Sequence, residues 1–550
     1  MAGGLLLFGA IVRIVGFFQN PSLSGDEAML ALNIGRRSFG DLLQPLDYGQ
    51  LATVPFLWME RVVTNAAGLS GFTLRIIPLV AGIGLLWILY RLAQDLLGPL
   101  EAVVALALSA TAFPLIRYSV EVKPYVLDSL VSVGLIWVAV RVADDLKARR
   151  RCLWLAVAGA GGVLLSTPVL LVCAAALGGL AVAAVRRRRS DLLLRLSVLG
   201  VLWGTLFSAA YLSWYAPNAS ASYMREFWAE AFLRPETAHF FPRLWRGLGD
   251  LSCTLTCWRG VADLWPLLLL LALLGVIRIA RRRGSEYAVL LAGPILAAFG
   301  ASALGGYPIA TRLLLFLAPL FAILVAAGAV MVATRLEQSW RPLRARWVLL
   351  LLLYPSVVLA ATLAFAPPAD WGFHGVEVRP LAEIYRNRGG NEPVYIFPRA
   401  VPAWVFHTTE WSPPDTARLR WVADIAGPGG PGFVNGPSRG TRPPGEGAEL
   451  VYTYQGRELY GTSTGAQGRV GVGYMPPEPD PRWAENEVGR MRAAARPHVW
   501  IVMSDYAHGP LDERAILMRA VQAAGGEVVY SSATADAVLY RVRFPPAPVG

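Results

Sequence analysis

Charge is in short supply in this chain, and lysine is nearly missing. Only 16% of its 550 residues are acidic or basic, 55% are hydrophobic, and Lys123 and Lys147 are the sole lysines among many arginines. We read the lysine deficit as a compositional bias of the kind a GC-rich bacterial genome produces. The net charge of +12 would suit nucleic acid, but the basic residues cluster in short runs between apolar blocks, where they orient helices. Nucleic acid is therefore not an expected partner. The five histidines are scattered without paired metal-ligand spacing, and a Gly-rich phosphate loop of the nucleotide-binding type is lacking, which argues against nucleotide hydrolysis. Four cysteines add little: Cys152 and Cys173 fall at or within apolar segments as packing residues, whereas the spacing of Cys253 and Cys257 allows a local disulfide. Residues 5–18 lack a basic leader and a small-x-small cleavage site, so they are expected to stay as a first helix.

What the chain does have is a series of apolar blocks about as long as a membrane-spanning helix, ~20 residues. They lie near 5–18, 72–90, 101–116, 125–143, 153–167, 168–185, 195–215, 262–280, 286–304, 311–333 and 346–366. The expected fold is a polytopic α-helical membrane protein with about 11 spans. If the arginine-rich connections face the cytoplasm, the alternation is self-consistent. The loop 19–71, the turn 117–124, the loop 216–260, the turn 305–312 and the tail after 367 then all lie outside. Residues 27–38 and 51–67 suit short helices in the interface. After Phe365 the apolar blocks shorten to strand length, as in 394–397, 499–503, 528–530 and 537–542, separated by helical stretches at 376–388, 482–495 and 511–524. We therefore expect a transmembrane domain, 1–366, and an extracytoplasmic α/β domain, 367–550, with a Gly- and Pro-rich loop at 425–447.

The chemistry-bearing residues fall on the outer side. Asp26 and Glu27 follow the first span, and Ser24 three residues before Glu27 fits a capping box. That role accounts for Glu27 better than for Asp26, which either favours the helix dipole or points into a cavity as a general base. The stretch Arg117, Tyr118, Ser119, Val120, Glu121, Val122, Lys123, Pro124, Tyr125 joins two apolar helices. It reads either as an interfacial marker or as a phosphate site, because Arg, Lys and Tyr bind phosphate through charge-assisted hydrogen bonds. Its lysine sits on the side where orientation rules do not favour one. Arg312, in Tyr307 to Arg312, is a candidate to complete that site or an interfacial anchor. Arg13 and Arg75 carry a weaker signal. Tyr48 and Gln50 either line a sugar pocket or shape the loop.

In this order and with this shared sidedness, the features resemble the GT-C glycosyltransferases. The branch is the family 39 or protein-mannosyltransferase-like one, which includes bacterial lipid A aminoarabinose transferases. The resemblance covers roughly residues 5–335. It rests on Ser-Gly-Asp-Glu-Ala, Tyr-Gly-Gln, Pro-Phe-Leu-Trp, Leu-Arg-Ile-Ile-Pro-Leu, Arg-Tyr-Ser-Val-Glu-Val-Lys-Pro-Tyr and Tyr-Pro-Ile-Ala-Thr-Arg-Leu-Leu-Leu-Phe-Leu. That branch more often carries Arg where Lys123 stands, and the tail shows no sugar-binding repeat. The resemblance implies a membrane glycosyltransferase in a bacterial inner membrane, with a polyprenyl-phosphate sugar donor and inverting transfer outside the cytoplasm. The acceptor would be a glycan, lipid or protein. Asp26 would act as base, and Arg117, Lys123 and Arg312 would stabilise the departing lipid phosphate. Glu27 would orient a donor hydroxyl or, with Asp26, hold a divalent cation. Two other classes stay open: a carrier or flippase for the lipid-linked sugar, which the scarcity of mid-helix charge disfavours, and a decayed scaffold whose outer domain does the work.

Overall fold

The structure, a computed structural model, describes residues 1–47, 50–219, 228–237, 239–257, 265–339, 354, 358, 362, 376–389, 392–397, 400–408, 449–454, 457–462, 470–472, 482–494, 497–504, 512–534 and 536–545. Tyr48 and the loop 425–447 lie outside the described residues, as does the boundary at 366/367 and most of the block 346–366.

The membrane part is built from α1 (Ala2–Gln19), α2 (Gly25–Arg36), α3 (Val54–Ala67), α4 (Ile76–Leu96), α5 (Pro99–Thr111), α6 (Phe113–Arg117), α7 (Tyr125–Asp144), α8 (Arg149–Leu165), α9 (Val169–Arg186) and α10 (Ser190–Ala210). It continues with α11 (Phe240–Thr256), α12 (Trp265–Arg282), α13 (Ser285–Ala303), a 3₁₀ turn over Thr311–Leu317 and α14 (Ala318–Ser339). Among the described residues seven helices are long and apolar enough to cross a bilayer: Ala2–Gln19, Thr73–Leu96, Tyr125–Asp144, Val169–Arg186, Ser190–Tyr215, Ser285–Ala303 and Thr311–Leu336. The chain is an integral membrane protein. Three further expected spans are helical too, but each differs for a local reason. The block 101–116 is split between α5 and α6, α8 opens on Arg149, Arg150 and Arg151, and α12 carries Arg278 among its leucines.

The split at Ala112 follows from Pro114, which has no N–H to give to the carbonyl four residues back. Arg13 supplies what is missing. Its fully buried guanidinium donates to the carbonyls of Ala110 at 3.3 Å and Ser109 at 3.4 Å, and its Nε donates to Ser119 Oγ at 3.1 Å. Gly82 makes room for this contact, since a Cβ there would lie 2.1 Å from Ser119 Oγ. Elsewhere α12 and α14 meet backbone to backbone: a Cβ on Gly275 would lie 2.0 Å from the Leu324 carbonyl, and one on Gly328 only 1.9 Å from that of Leu271. Small residues let helices approach this closely in lipid.

At the end of the bundle that holds the arginine-rich connections, carboxylates meet arginines. Arg283 reaches Asp144 at 2.9 Å, Arg186 reaches Glu286 at 2.7 Å, and Arg278 pairs with Glu101 in a buried salt bridge. Since α7 runs about 30 Å from Tyr125 to Asp144, these pairs sit a membrane thickness away from the turn 118–124.

The C-terminal part holds α15 (Arg379–Arg388), α16 (Val401–Thr408), α17 (Arg482–Ala494) and α18 (Glu513–Ala523) with seven strands, β1 (Val394–Ile396), β2 (Glu449–Tyr454), β3 (Arg457–Thr462), β4 (Val470–Val472), β5 (His498–Ser504), β6 (Glu527–Thr534) and β7 (Ala537–Arg543). Five strands form a sheet in the order β4-β1-β5-β7-β6, with β4, β1 and β5 parallel and β7 antiparallel to both β5 and β6. β2 and β3 form a separate antiparallel hairpin. Buried Tyr395, Phe397, Ile501, Met503 and Val521 pack one face of the sheet.

This part is tied to the segment that precedes α2. The Glu377 carboxylate accepts from Ser22 Oγ at 2.6 Å and from Ser22 N at 3.1 Å, and Ser22 Oγ accepts from Arg379 N at 3.0 Å. His407 Nε2 accepts from Leu23 N at 3.3 Å, so the ring is held neutral with its proton on Nδ1. Burial, helped by the charges of Arg379 and Arg75, lowers the His407 pKa to about 3. Because the folded value lies below the unfolded one, the stabilisation is complete above about pH 6.5 and is lost as pH falls toward the folded value. We expect the unfolding free energy in detergent to fall between pH 7 and pH 5, by up to about 1.4 kcal/mol per pH unit, read as a lower unfolding midpoint. In His407→Gln that part of the slope should vanish. Separately, Glu101→Ala leaves Arg278 buried without its partner and should cost about 3–5 kcal/mol, read as a lower midpoint. Glu101→Leu with Arg278→Met should recover most of it.

Candidate active site

The site is assembled on the amino-terminal end of α2. Ser24 and Glu27 form a capping box, with Ser24 N donating to Glu27 Oε2 at 3.0 Å. The other carboxylate oxygen, Glu27 Oε1, accepts from Arg75 Nη2 at 3.1 Å and from Val122 N at 3.0 Å. Arg75 is fully buried and also donates to Asn20 Oδ1 at 2.9 Å and to the Pro21 carbonyl at 2.8 Å. One carboxylate thus fastens the start of α2 to the foot of α4 and to the turn 118–124. Asp26, one residue earlier, is left to face the other way.

Asp26 Oδ2 meets Arg312 Nη1 at 3.2 Å. The two are about one-third exposed, with side chains 35% and 31% accessible, so substrate can reach the pair. Lys123 is buried, donates to Gln50 Oε1 at 2.8 Å, and is the strongest electrostatic influence on Asp26. The Lys123 charge, and after it Arg312, hold the Asp26 carboxyl below its ordinary range against the opposing effect of burial. Lys123 is itself lowered by burial, with Asp26 pulling the other way. Arg312 lies over the Trp228 ring, 5.0 Å from its centroid. Thr311 beside it donates to Asp250 Oδ1 at 2.7 Å, which ties this turn to α11.

On the far side of the turn, Arg117 pairs with Glu121 through its Nε. Burial pushes the Glu121 carboxyl up, while the Arg117 charge restrains it. The rings of Tyr118 and Tyr125 pack edge to face at 5.1 Å, and burial also raises the Tyr118 phenol. The structure therefore brings Asp26, Gln50, Arg117, Tyr118, Glu121, Lys123, Tyr125 and Arg312 to one end of the bundle around α2 and the turn 118–124. Glu27 is there too, but with both carboxylate oxygens engaged by the protein.

A divalent cation does not fit these carboxylates. Among the described residues no group of His, Cys, Asp and Glu could hold a metal ion, and Asp26 and Glu27 each face a guanidinium rather than one another. Sequence reading missed Trp228, which carried no spacing signal, and underrated Arg75. The apolar run that Arg75 opens was visible, but its partner 48 residues upstream was not. Cys253 and Cys257 are joined in a disulfide at the end of α11, as their spacing allowed.

Residues 53–214 match a family model described as dolichyl-phosphate-mannose-protein mannosyltransferase. No curated protein sequence matches the chain. Similar solved structures include ArnT from Cupriavidus metallidurans in the apo state, 13% identical over 98% of each chain with a TM-score of 0.50. The same ArnT bound to undecaprenyl phosphate is 13% identical over 98% of each chain, with a TM-score of 0.49. The Archaeoglobus fulgidus oligosaccharyltransferase in complex with Zn and sulfate is 16% identical with a TM-score of 0.46, over 76% of this chain and 63% of that one. The chain thus spans less than two thirds of the archaeal protein's length. At such identities the likeness is one of fold. A mannosyltransferase family model thus matches residues 53–214, and over nearly its whole length the chain has a fold similar to that of ArnT.

Proposed function

We propose that the protein is a membrane glycosyltransferase that moves a sugar from a polyprenyl-phosphate donor to an acceptor hydroxyl on the extracytoplasmic side, with inversion. The observation that carries this reading is the meeting of Asp26 with Arg312 at 3.2 Å beside the charge of Lys123, at the rim of a lipid-embedded bundle. A carboxylate placed next to paired cations is what transfer from a lipid phosphate needs: a base for the nucleophile and positive charge for the leaving group.

In the proposed reaction the acceptor oxygen forms its bond to the anomeric carbon as the bond from that carbon to the phosphate oxygen breaks. The acceptor proton passes to an Asp26 oxygen, and the electron pair of the broken bond leaves on the polyprenyl phosphate, whose charge Lys123, Arg312 and Arg117 stabilise. A carboxyl held below its ordinary range is a weak base in the empty site. Donor phosphate, by drawing Lys123 and Arg312 to itself, would strengthen Asp26 as a base only once the donor is bound. Glu27, occupied with Arg75, Ser24 and Val122, acts by positioning. Gln50 orients Lys123.

The sidedness has support from the Cys253–Cys257 disulfide in α11, which is bonded to the Arg312 turn through Asp250 and Thr311. Disulfides persist in oxidising compartments. The C-terminal α/β domain, clamped to residues 20–24, would lie on the same side and bound the acceptor's approach.

Asp26→Asn in purified, folded protein should lower sugar transfer from a polyprenyl-phosphate donor by at least ~100-fold with donor binding retained. Transfer near the wild-type rate would overturn the assigned base. Lys123→Met should weaken binding of undecaprenyl phosphate, and Lys123→Arg should restore more of it than Met does, since charge is kept although the point-charge geometry changes. Equal binding by all three proteins would remove Lys123 from the phosphate site.

A further inference from the structure

The link between α1 and α2, residues 20–24, is neither helix nor strand, so its backbone groups do not satisfy one another and must be met from outside. Each N–H along it has a partner. Asn20 N donates to the Phe17 carbonyl and Ser24 N to Glu27, while Pro21 has none to give. Those of Ser22 and Leu23 go to the C-terminal part, to the Glu377 carboxylate and to His407 Nε2. The Asn20 carbonyl accepts from Arg379 Nη2, and the Pro21 carbonyl accepts from Arg75. Two grips therefore hold the link: Arg75 from the bundle, and Glu377, Arg379 and His407 from the C-terminal part. Asn20 has a φ of 42°, in a region that few residues other than glycine adopt, so the path of the link depends on these contacts.

The C-terminal grip is itself braced by the sheet. Glu377 is 8% exposed, and its own carbonyl accepts from Thr534 Oγ1, at the end of β6, at 2.6 Å. Arg388, at the end of α15, lies over the Tyr530 ring of β6, 4.9 Å from its centroid. α16, which carries His407, packs against α2. Asp26 stands just beyond the link, in the first turn of α2. Its side chain is about one-third exposed, so its place is set mainly by its backbone. The Arg75 to Glu27 contact fixes the residue after it, and the grip on Ser22 and Leu23 fixes the approach before it.

We propose that Glu377 and Arg379 are positioning residues for Asp26, so that the C-terminal part is a working component of the active site and not only a wall beside it. The inference rests on the glycosyltransferase reading, in which Asp26 is the base, and adds what keeps that base in line. Lys123, Arg117 and Arg312 are carried by other segments, so loosening the link moves the base and leaves the phosphate cations in place. A misplacement of about 1 Å is enough to cost about 100-fold in rate. The effect belongs in kcat, with the hold on the lipid phosphate spared.

The test uses full-length protein in nanodiscs. It follows sugar transfer from undecaprenyl-phosphate-linked glucose, mannose and arabinose to water or to an added membrane extract, affinity for undecaprenyl phosphate, and hydrogen exchange over residues 22–30. Glu377→Ala should lower kcat at least ~10-fold, with KM and bare-lipid affinity unchanged and exchange over 22–30 accelerated. Glu377→Gln, which keeps one acceptor for Ser22, should recover part of the rate. Ser22→Ala, which removes only the hydroxyl shared by Glu377 and Arg379, should lower kcat by less than Glu377→Ala, and it decides the matter if the latter does not fold. Glu392→Gln, which disturbs the sheet away from the link by removing a carboxylate oxygen from Arg541 and Trp500, should leave kcat unchanged. The proposal is overturned if exchange over 22–30 does not respond to Glu377→Ala, if exchange accelerates while kcat holds, if bare-lipid affinity falls together with kcat, or if Ser22→Ala matches the wild type in both exchange and kcat. Wild-type protein that transfers none of the three sugars, while Glu377→Ala still loosens 22–30, would place the fault in the glycosyltransferase reading, and the catalytic role of the grip would fall with it.

Discussion

The contact on which the site depends is the pairing of Arg75 with Glu27. Both side chains are out of water, and a buried guanidinium facing a buried carboxylate is tolerable only when each finds further partners. Here they do: Asn20 and the Pro21 carbonyl complete Arg75, while Ser24 N and Val122 N complete Glu27. Segments distant in sequence are thereby locked together, namely the exit of α1, the start of α2, the foot of α4 and the turn 118–124. Asp26 and Lys123, neighbours of the locked residues, inherit their mutual placement from that lock. Asp26 can thus stay partly exposed while the backbone beside it is fixed by buried groups.

Arginine serves different ends at different depths of this protein. Arg13 repairs the carbonyls that Pro114 strands, with no carboxylate involved. Arg278 neutralises Glu101 near the arginine-rich end. Arg312 faces Asp26 in a setting open enough for exchange of partners. The distinction lies in what surrounds the guanidinium. Where protein groups saturate its donors the residue is architectural, and where an accessible carboxylate is its main partner a charged ligand can compete.

Much of this was legible in the sequence, and the limits are physical. Hydropathy located the spans because lipid imposes a length on every one of them, and the strands at 394–397, 499–503 and 537–542 showed as short apolar runs bounded by turns. The hairpin formed by Glu449–Tyr454 and Arg457–Thr462 gave no such signal, being mixed in polarity along both strands. The capping box of Ser24 and Glu27 was readable because its partners are three residues apart. The ion pair of Asp26 with Arg312 spans 286 residues; their shared outer side put both among the candidates, but nothing in the sequence paired one with the other.

The glycine contacts between α12 and α14 bear on how such a site opens. With Gly275 against the Leu324 carbonyl and Gly328 against that of Leu271, neither rod can slide or roll past the other without collision. The turn that bears Arg312 runs directly into α14, so this cation stands on a rigid post. Under the proposed function, admission of a bulky headgroup would then be accommodated by rotation of the Arg312 side chain and by yielding of the opposite wall, with the post itself serving as the fixed datum against which the ligand is aligned.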